Sequence, residues 1–143
     1  MNVVLPTTMS RLLKGISGLH RIEKEAAILC SDAADQWIQS AVENIKQVAT
    51  VQEQKTISEG TVSFVVESED IVARNWAFCK TRLRDRVKAL SKGFRWSLAG
   101  KIVLYNAFDD YLKLLACRIA STQELAKRKT ISAKHVTAAV MSR

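Results

Sequence analysis

Apolar side chains recur every three or four positions along most of this chain, the spacing of one face of a 3.6-residue helix, and the interruptions divide it into six segments. Leu12, Leu13 and Ile16 form a first short helix, with Thr7 or Thr8 placed to cap it. Pro6 can open that helix, while Gly15 weakens it and Gly18 ends it. The spacing of Ala26, Leu29, Ala33, Trp37, Ala41, Ile45, Val48 and Ala49 predicts a long helix from about Glu23 to Gln52. Ser58 then caps a short element carrying Val62, Val65 and Val66, which alone could read as helix or strand. After Glu67-Ser68-Glu69-Asp70 a helix is predicted over 71–90, stopped by Ser91-Lys92-Gly93. Ser97 caps a second long helix with Ile102, Tyr105, Phe108, Leu112, Leu115, Ile119 and Ala126 on one face. Ser132 caps a last short helix bearing Val136, Ala139 and Val140. No alternating segment is strong enough to predict a sheet.

The pattern repeats. Lys55-Thr56-Ile57-Ser58 recurs as Lys129-Thr130-Ile131-Ser132, and the same offset of 74 carries Arg21 onto Arg95. Each copy reads short helix, loop, long helix, loop, short helix, which assigns the valine element of the first copy to a helix. The copies are residues 1–68 and 69–143. Neither can cover the stripe of its own long helix, so the expected fold is all-α, with the repeats buried against each other and the long helices crossing near their middles. Trp37 and Ile38, with Tyr111 and Leu112, fall where that crossing is expected.

Composition adds limits rather than an identity. The 143 residues are 48% apolar and 25% charged, values of a globular chain rather than a disordered one. No apolar run approaches the roughly 18 residues of a membrane span, and the start is too short for a signal peptide. Cys30, Cys79 and Cys117 form no C-x-x-C pair, and Cys30 and Cys117 sit in apolar runs where thiols behave as small buried hydrophobes. A reducing compartment is the simplest setting.

Charge is unevenly placed. Residues 1–68 carry six Lys/Arg against eight Asp/Glu, and residues 69–143 carry sixteen against six. Such asymmetry points to a polyanionic partner of the second half, but does not by itself separate DNA from RNA or an acidic membrane. Lys80, Arg82, Arg84 and Lys88 fit equally a contact surface or a solvated helix face. Catalysis is a poor fit. His20 and His135 have no metal-ligand spacing, Asp109 and Asp110 point about 100° apart on a helix, and no phosphate-binding glycine loop is present. No catalytic residue, metal or cofactor is expected. Trp37, Trp76, Trp96 and Phe108 read as core or interface rather than base-stacking platforms.

The most specific signal lies in the motifs together. Leu5-Pro6, Arg11-Leu12-Leu13-Lys14, Arg21 and Gln54-Lys55-Thr56-Ile57-Ser58 resemble an archaeal-type histone along the first copy. The stretch from Ala126 to Val136 resembles the end of a histone fold more closely, and Phe94-Arg95-Trp96 looks like the first loop of a eukaryotic core histone. The chain thus resembles a tailless histone doublet of the kind found in some archaea and large DNA viruses. That resemblance implies a handshake dimer that bends double-stranded DNA without reading its sequence, at a chromosome or nucleoid, or in a nucleus or virion if viral. Further copies of the doublet, or other histones, would join it on DNA, with no membrane involved. It implies that Arg11 enters the minor groove supported by Thr56, with Lys14 and Thr130 in the same surface. Lys55 and Arg21, like Lys129 and Arg95, would hold phosphates at the loop pairs. Arg86 is the counterpart of Arg11 if a gap is placed in the loop, whereas Asp85 holds the ungapped position. A histone-fold module serving protein partners in transcription or centromere machinery is the alternative. The polar pairs that usually join histone dimers are incomplete, because Val51, Thr61, Leu125 and His135 stand at their places. A monomeric doublet in solution is expected.

Overall fold

The computed structural model describes residues 2–17, 21–125 and 130–141, without the side chains of 16, 17 and 123–125. The elements are α1 (Pro6–Ser17), β1 (Arg21–Ile22), α2 (Lys24–Val51), β2 (Thr56–Ile57) and α3 (Glu59–Val66), then α4 (Lys80–Leu90), β3 (Arg95–Trp96), α5 (Leu98–Leu125), β4 (Thr130–Ile131) and α6 (Ala133–Met141). Every element of the second set begins 74 residues after its counterpart, as Lys80 follows Pro6, Leu98 follows Lys24 and Ala133 follows Glu59. The sequence repeat is therefore a structural repeat without insertion or deletion, and the valine segment is helical as the repeat required.

Pro6 is the first helical residue of α1, where its fixed φ and missing N–H cost nothing, so Thr7 and Thr8 lie inside the helix rather than capping it. Ser97 caps α5, its Oγ accepting the Gly100 N–H at 3.0 Å. Ser58 stands at the N-cap of α3 without a side-chain hydrogen bond. Gly93, at φ +89°, follows the end of α4 in a left-handed conformation suited to glycine.

The chain forms two compact units, residues 1–35 with 111–143 and residues 36–110, so each unit combines parts of both repeats. In the first, β1 pairs in parallel with β4; in the second, β2 pairs in parallel with β3. The sequence reading contained no strands. These pairings are two residues long and join the loop of one repeat to the loop of the other, within an otherwise all-α handshake fold.

The first unit buries Met9, Leu13, Ala26, Cys30, Ala34, Leu112, Ala116, Ile119, Ile131 and Val136. Residues ahead of α1 are tied onto α2: Val3 and Val4 are buried, the Val3 N–H donates to Asp35, and the Ser31 hydroxyl donates to the Val4 carbonyl. Cys117 is exposed, contrary to its apolar sequence surroundings, while Cys30 is buried as expected. Burial pushes the Cys30 thiol up to about 12.

The second unit is built around aromatic rings. Trp37 of α2 stacks on Phe108 of α5 with centroids 5.6 Å apart, Phe78 meets Phe108 at 5.1 Å, and Trp76 meets Tyr105 edge-on at 5.2 Å. Trp76 and Phe78 belong to residues 67–79, where the structure departs from the predicted helix over 71–90: α4 starts only at Lys80. Tertiary hydrogen bonds explain the difference. Buried Asn106 accepts from Trp76 Nε1 at 2.8 Å and from Arg74 Nε at 3.2 Å, and donates to the carbonyls of Asp70 and Val72 at 2.9 and 3.0 Å. Asp109 accepts the Ala77 N–H at 3.0 Å, and Arg74 grips Asp110 through both carboxylate oxygens at 2.8 and 3.1 Å. Hydrogen bonding to Asp110 is the largest influence that raises the Arg74 guanidinium pKa. The backbone of 70–77 thus serves side chains on α5 instead of its own helix ladder.

Candidate nucleic-acid interface

Two loop pairs join the repeats, and the one in the second unit places Lys55 and Arg95, cations from different repeats, side by side. In the second unit Thr56 lies in register with Arg95 and Ile57 with Trp96. The Arg95 N–H donates to the Lys55 carbonyl at 2.9 Å and the Ser97 N–H to the Ile57 carbonyl at 2.9 Å, which locks the pair together. Ile57 is fully buried and anchors the loop, leaving Lys55, Thr56 and Arg95 exposed. The first turn of α5 presses closely on this pair, since a Cβ at Gly100 would lie 3.0 Å from the Ile57 carbonyl oxygen. Glycine is needed here for close approach.

The first unit repeats the arrangement. Arg21 lies in register with Thr130 and Ile22 with Ile131, and the Glu23 N–H donates to the Ile131 carbonyl at 3.0 Å. Arg21 is exposed and Thr130 partly so. Lys129 lies outside the described residues. After β4, the Ser132 N–H donates to His135 Nδ1 at 3.0 Å, so the histidine side chain satisfies a backbone donor at the helix start.

Arg11 and Lys14 are exposed on α1. Among the described residues, no carboxylate forms an ion pair with Arg11, Lys14, Arg21, Lys55 or Arg95, so these charges are available to an external anion. The helix register decides the alternative left open for Arg11. Met9 and Leu13 of α1 are buried as Leu83 and Val87 of α4 are, at the same offset of 74, so in the repeat Asp85 corresponds to Arg11 and Arg86 to Leu12. Arg86 is half-buried and already engaged within the protein, and Asp85 lies 3.7 Å from Arg84. In helix register Asp85, rather than Arg86, corresponds to Arg11.

Sequence reasoning also missed the surroundings of Arg95. Arg84, Lys88, Arg95 and Lys101 line one cleft together with Phe94 and Trp96. The alternation of charge and aromatic residues was visible, but only packing of α4 against the start of α5 brings them to one place. The places expected to join dimers are also partly filled from within: the Thr61 hydroxyl donates to Gln54 at 3.2 Å, with Gln52 at 3.4 Å, while Val51 is exposed.

No family model and no curated protein matches this sequence. Among solved structures, the histone from Methanopyrus kandleri superposes with a TM-score of 0.75 at 17% identity, over 95% of this chain and 92% of that one. The fold is a histone fold, present twice in one chain. The likeness covers nearly the whole of both chains, not just one three-helix segment. Among the described residues of this histone-fold doublet, no three His, Cys, Asp or Glu side chains gather as a metal site would require. No described helix is long and apolar enough to cross a membrane.

Proposed function

We propose that this histone-fold doublet binds double-stranded DNA without sequence preference, bending and compacting it as a non-catalytic chromatin protein. The observation that carries the reading is the loop pairing: Arg95 beside Thr56, and Arg21 beside Thr130, each with an exposed arginine at the edge of a short parallel bridge. Arginine and lysine neutralise phosphates, and threonine hydroxyls and loop N–H groups add hydrogen bonds to phosphate oxygens. Arg11, Lys14, Arg21, Lys55, Thr56, Arg95, Lys129 and Thr130 form the DNA surface in this reading, with Arg11 entering a minor groove. Arg86 joins that surface only by an electrostatic contribution, because its side chain is half-buried and engaged. With Asp85 at the position that corresponds to Arg11 in the second repeat, the first-helix contact is carried by one repeat.

A role as a protein-interaction module has no comparable support, since the loop pairs present exposed cations suited to phosphates. The chain would act at a chromosome or nucleoid, with further doublets or other histones as neighbours on the DNA. Competition at matched salt between unrelated duplexes and double-stranded RNA tests the reading. Duplex DNAs of different sequence are expected to compete equally and RNA poorly. Nuclease digestion of the complexes should protect DNA in increments as protein is added. Preference for RNA, or no retained duplex, would refute the proposal.

A further inference from the structure

The cleft beside the second unit's loop pair has features that duplex binding does not use. It has a volume of about 600 Å³ and is lined by Arg84, Lys88, Arg95 and Lys101, with Phe94 and Trp96 in the same wall. Trp37, Trp76, Phe78, Tyr105 and Phe108 are engaged in the internal aromatic cluster. Phe94 and Trp96 are half-buried, and among the described residues neither ring packs against another ring. The Trp96 indole N–H already donates to Ser91 Oγ at 2.8 Å, and Ser91 Oγ in turn donates to the Val87 carbonyl at 2.6 Å. The indole is thereby held in place with its donor consumed, so it offers a π surface and no hydrogen bond with which to read a base edge.

An intact duplex cannot exploit such a concave site, because its bases are paired and stacked within the helix. A strand with unpaired bases can. Cationic side chains that follow a backbone, combined with free aromatic faces, are the general requirements for sequence-tolerant single-strand binding. We propose that this cleft takes an unpaired nucleotide of a single-stranded tail or gap, stacking its base on Trp96 and Phe94 while Lys88 and Lys101 hold flanking phosphates. Asp85, which also lines the cleft and lies 3.7 Å from Arg84, confines the phosphates to the side of Lys88 and Lys101. The inference rests on the nucleic-acid reading through Arg95, which belongs to both the cleft and the loop pair. It would place the doublet preferentially where a duplex adjoins an unpaired stretch.

The test compares a blunt DNA hairpin closed by a non-nucleotide linker, the same hairpin with a short unpaired thymidine tail, and free oligothymidylate at one salt concentration. Anisotropy and intrinsic tryptophan fluorescence are read on the full chain. The tailed hairpin should bind about fivefold tighter than the blunt one, the low end expected from stacking a single base. Oligothymidylate and the tailed hairpin should quench tryptophan emission, and a Trp96→Phe variant should lose the quench. A Phe94→Ala variant with unchanged circular dichroism should lose the preference for the tail while keeping its affinity for the blunt hairpin. Equal binding of the two hairpins, a preference that survives Phe94→Ala, or quenching by polyglutamate but not oligothymidylate would overturn the proposal. If the blunt hairpin does not bind, the duplex reading fails, and the free oligothymidylate still decides the cleft.

Discussion

Replacing Asn106 with alanine tests the packing argument at its most concentrated point. The side chain is completely buried and all of its hydrogen-bonding capacity is used: two donors on the carbonyls of Asp70 and Val72, two acceptor positions on Trp76 Nε1 and Arg74 Nε. That pattern also settles which end of the amide is oxygen, since only this orientation matches donors with acceptors. A net hydrogen bond contributes about 1 kcal/mol, and stranding a partly buried donor such as Trp76 Nε1 costs more than the bond alone. Asp70 and Val72 are exposed and regain water, which lowers their share. The expected loss is about 3 kcal/mol, or roughly 10 °C in Tm for a chain of this size. Urea and thermal unfolding followed by circular dichroism measure it, with Asn75→Ala as the control. Asn75 is exposed in the same segment and should change stability by less than about 0.5 kcal/mol. Limited proteolysis should cut within 67–79 of Asn106→Ala before any other site. A loss below about 1 kcal/mol, within reach of ordinary surface substitutions, would refute the view that this residue anchors the segment.

Other expectations concern the repeat, the loop pair and the thiols. Residues 1–68 and 69–143 expressed separately should be poorly helical or self-associating and recover helicity on mixing; two stable monomers would contradict the shared core. Gly100→Ala should cost about 1 kcal/mol net despite alanine's better helix propensity, whereas Gly15→Ala, with open space around it, should stabilise by a few tenths to about 1 kcal/mol. Denaturation midpoints of the two variants should move in opposite directions. In the native protein a thiol reagent at mildly alkaline pH should label Cys79 and Cys117 rapidly and Cys30 only on unfolding. Because burial raises the Cys30 pKa from 9.0 to about 12, its contribution to stability is present below pH 9 and is lost as pH climbs toward 12, an effect a Cys30→Ala comparison isolates.

Most of the helical plan was legible because it follows from local pattern and repetition. The long helices predicted from about Glu23 to Gln52 and from Ser97 onward correspond to α2 and α5, within a residue or two where their ends were specified. The offset of 74 carried the ambiguous valine segment to the right state. What was not legible depends on partners distant in sequence. Residues 71–79 have a composition compatible with helix, and it is hydrogen bonds to Asn106, Asp109 and Asp110 and ring contacts with Tyr105 and Phe108, all on α5, that draw them out of it. Trp96 reads as a core tryptophan until the cationic cleft beside it is seen, and Cys117 sits in an apolar run yet faces outward. The Arg11 counterpart depended on where a gap was placed, and the burial of Leu83 and Val87 in step with Met9 and Leu13 removes the need for one.

The central claim, that this doublet grips the phosphates of duplex DNA through its paired loops, is tested most directly by the salt dependence of binding. Log affinity against log salt should fall linearly for two unrelated duplexes, with the same slope for both. Arg95→Ala should make that slope shallower by about 0.9, one phosphate contact, and weaken both duplexes alike. Arg21→Ala in the other loop pair should do the same. A slope untouched by either substitution, or a loss confined to one of the two sequences, would contradict the account.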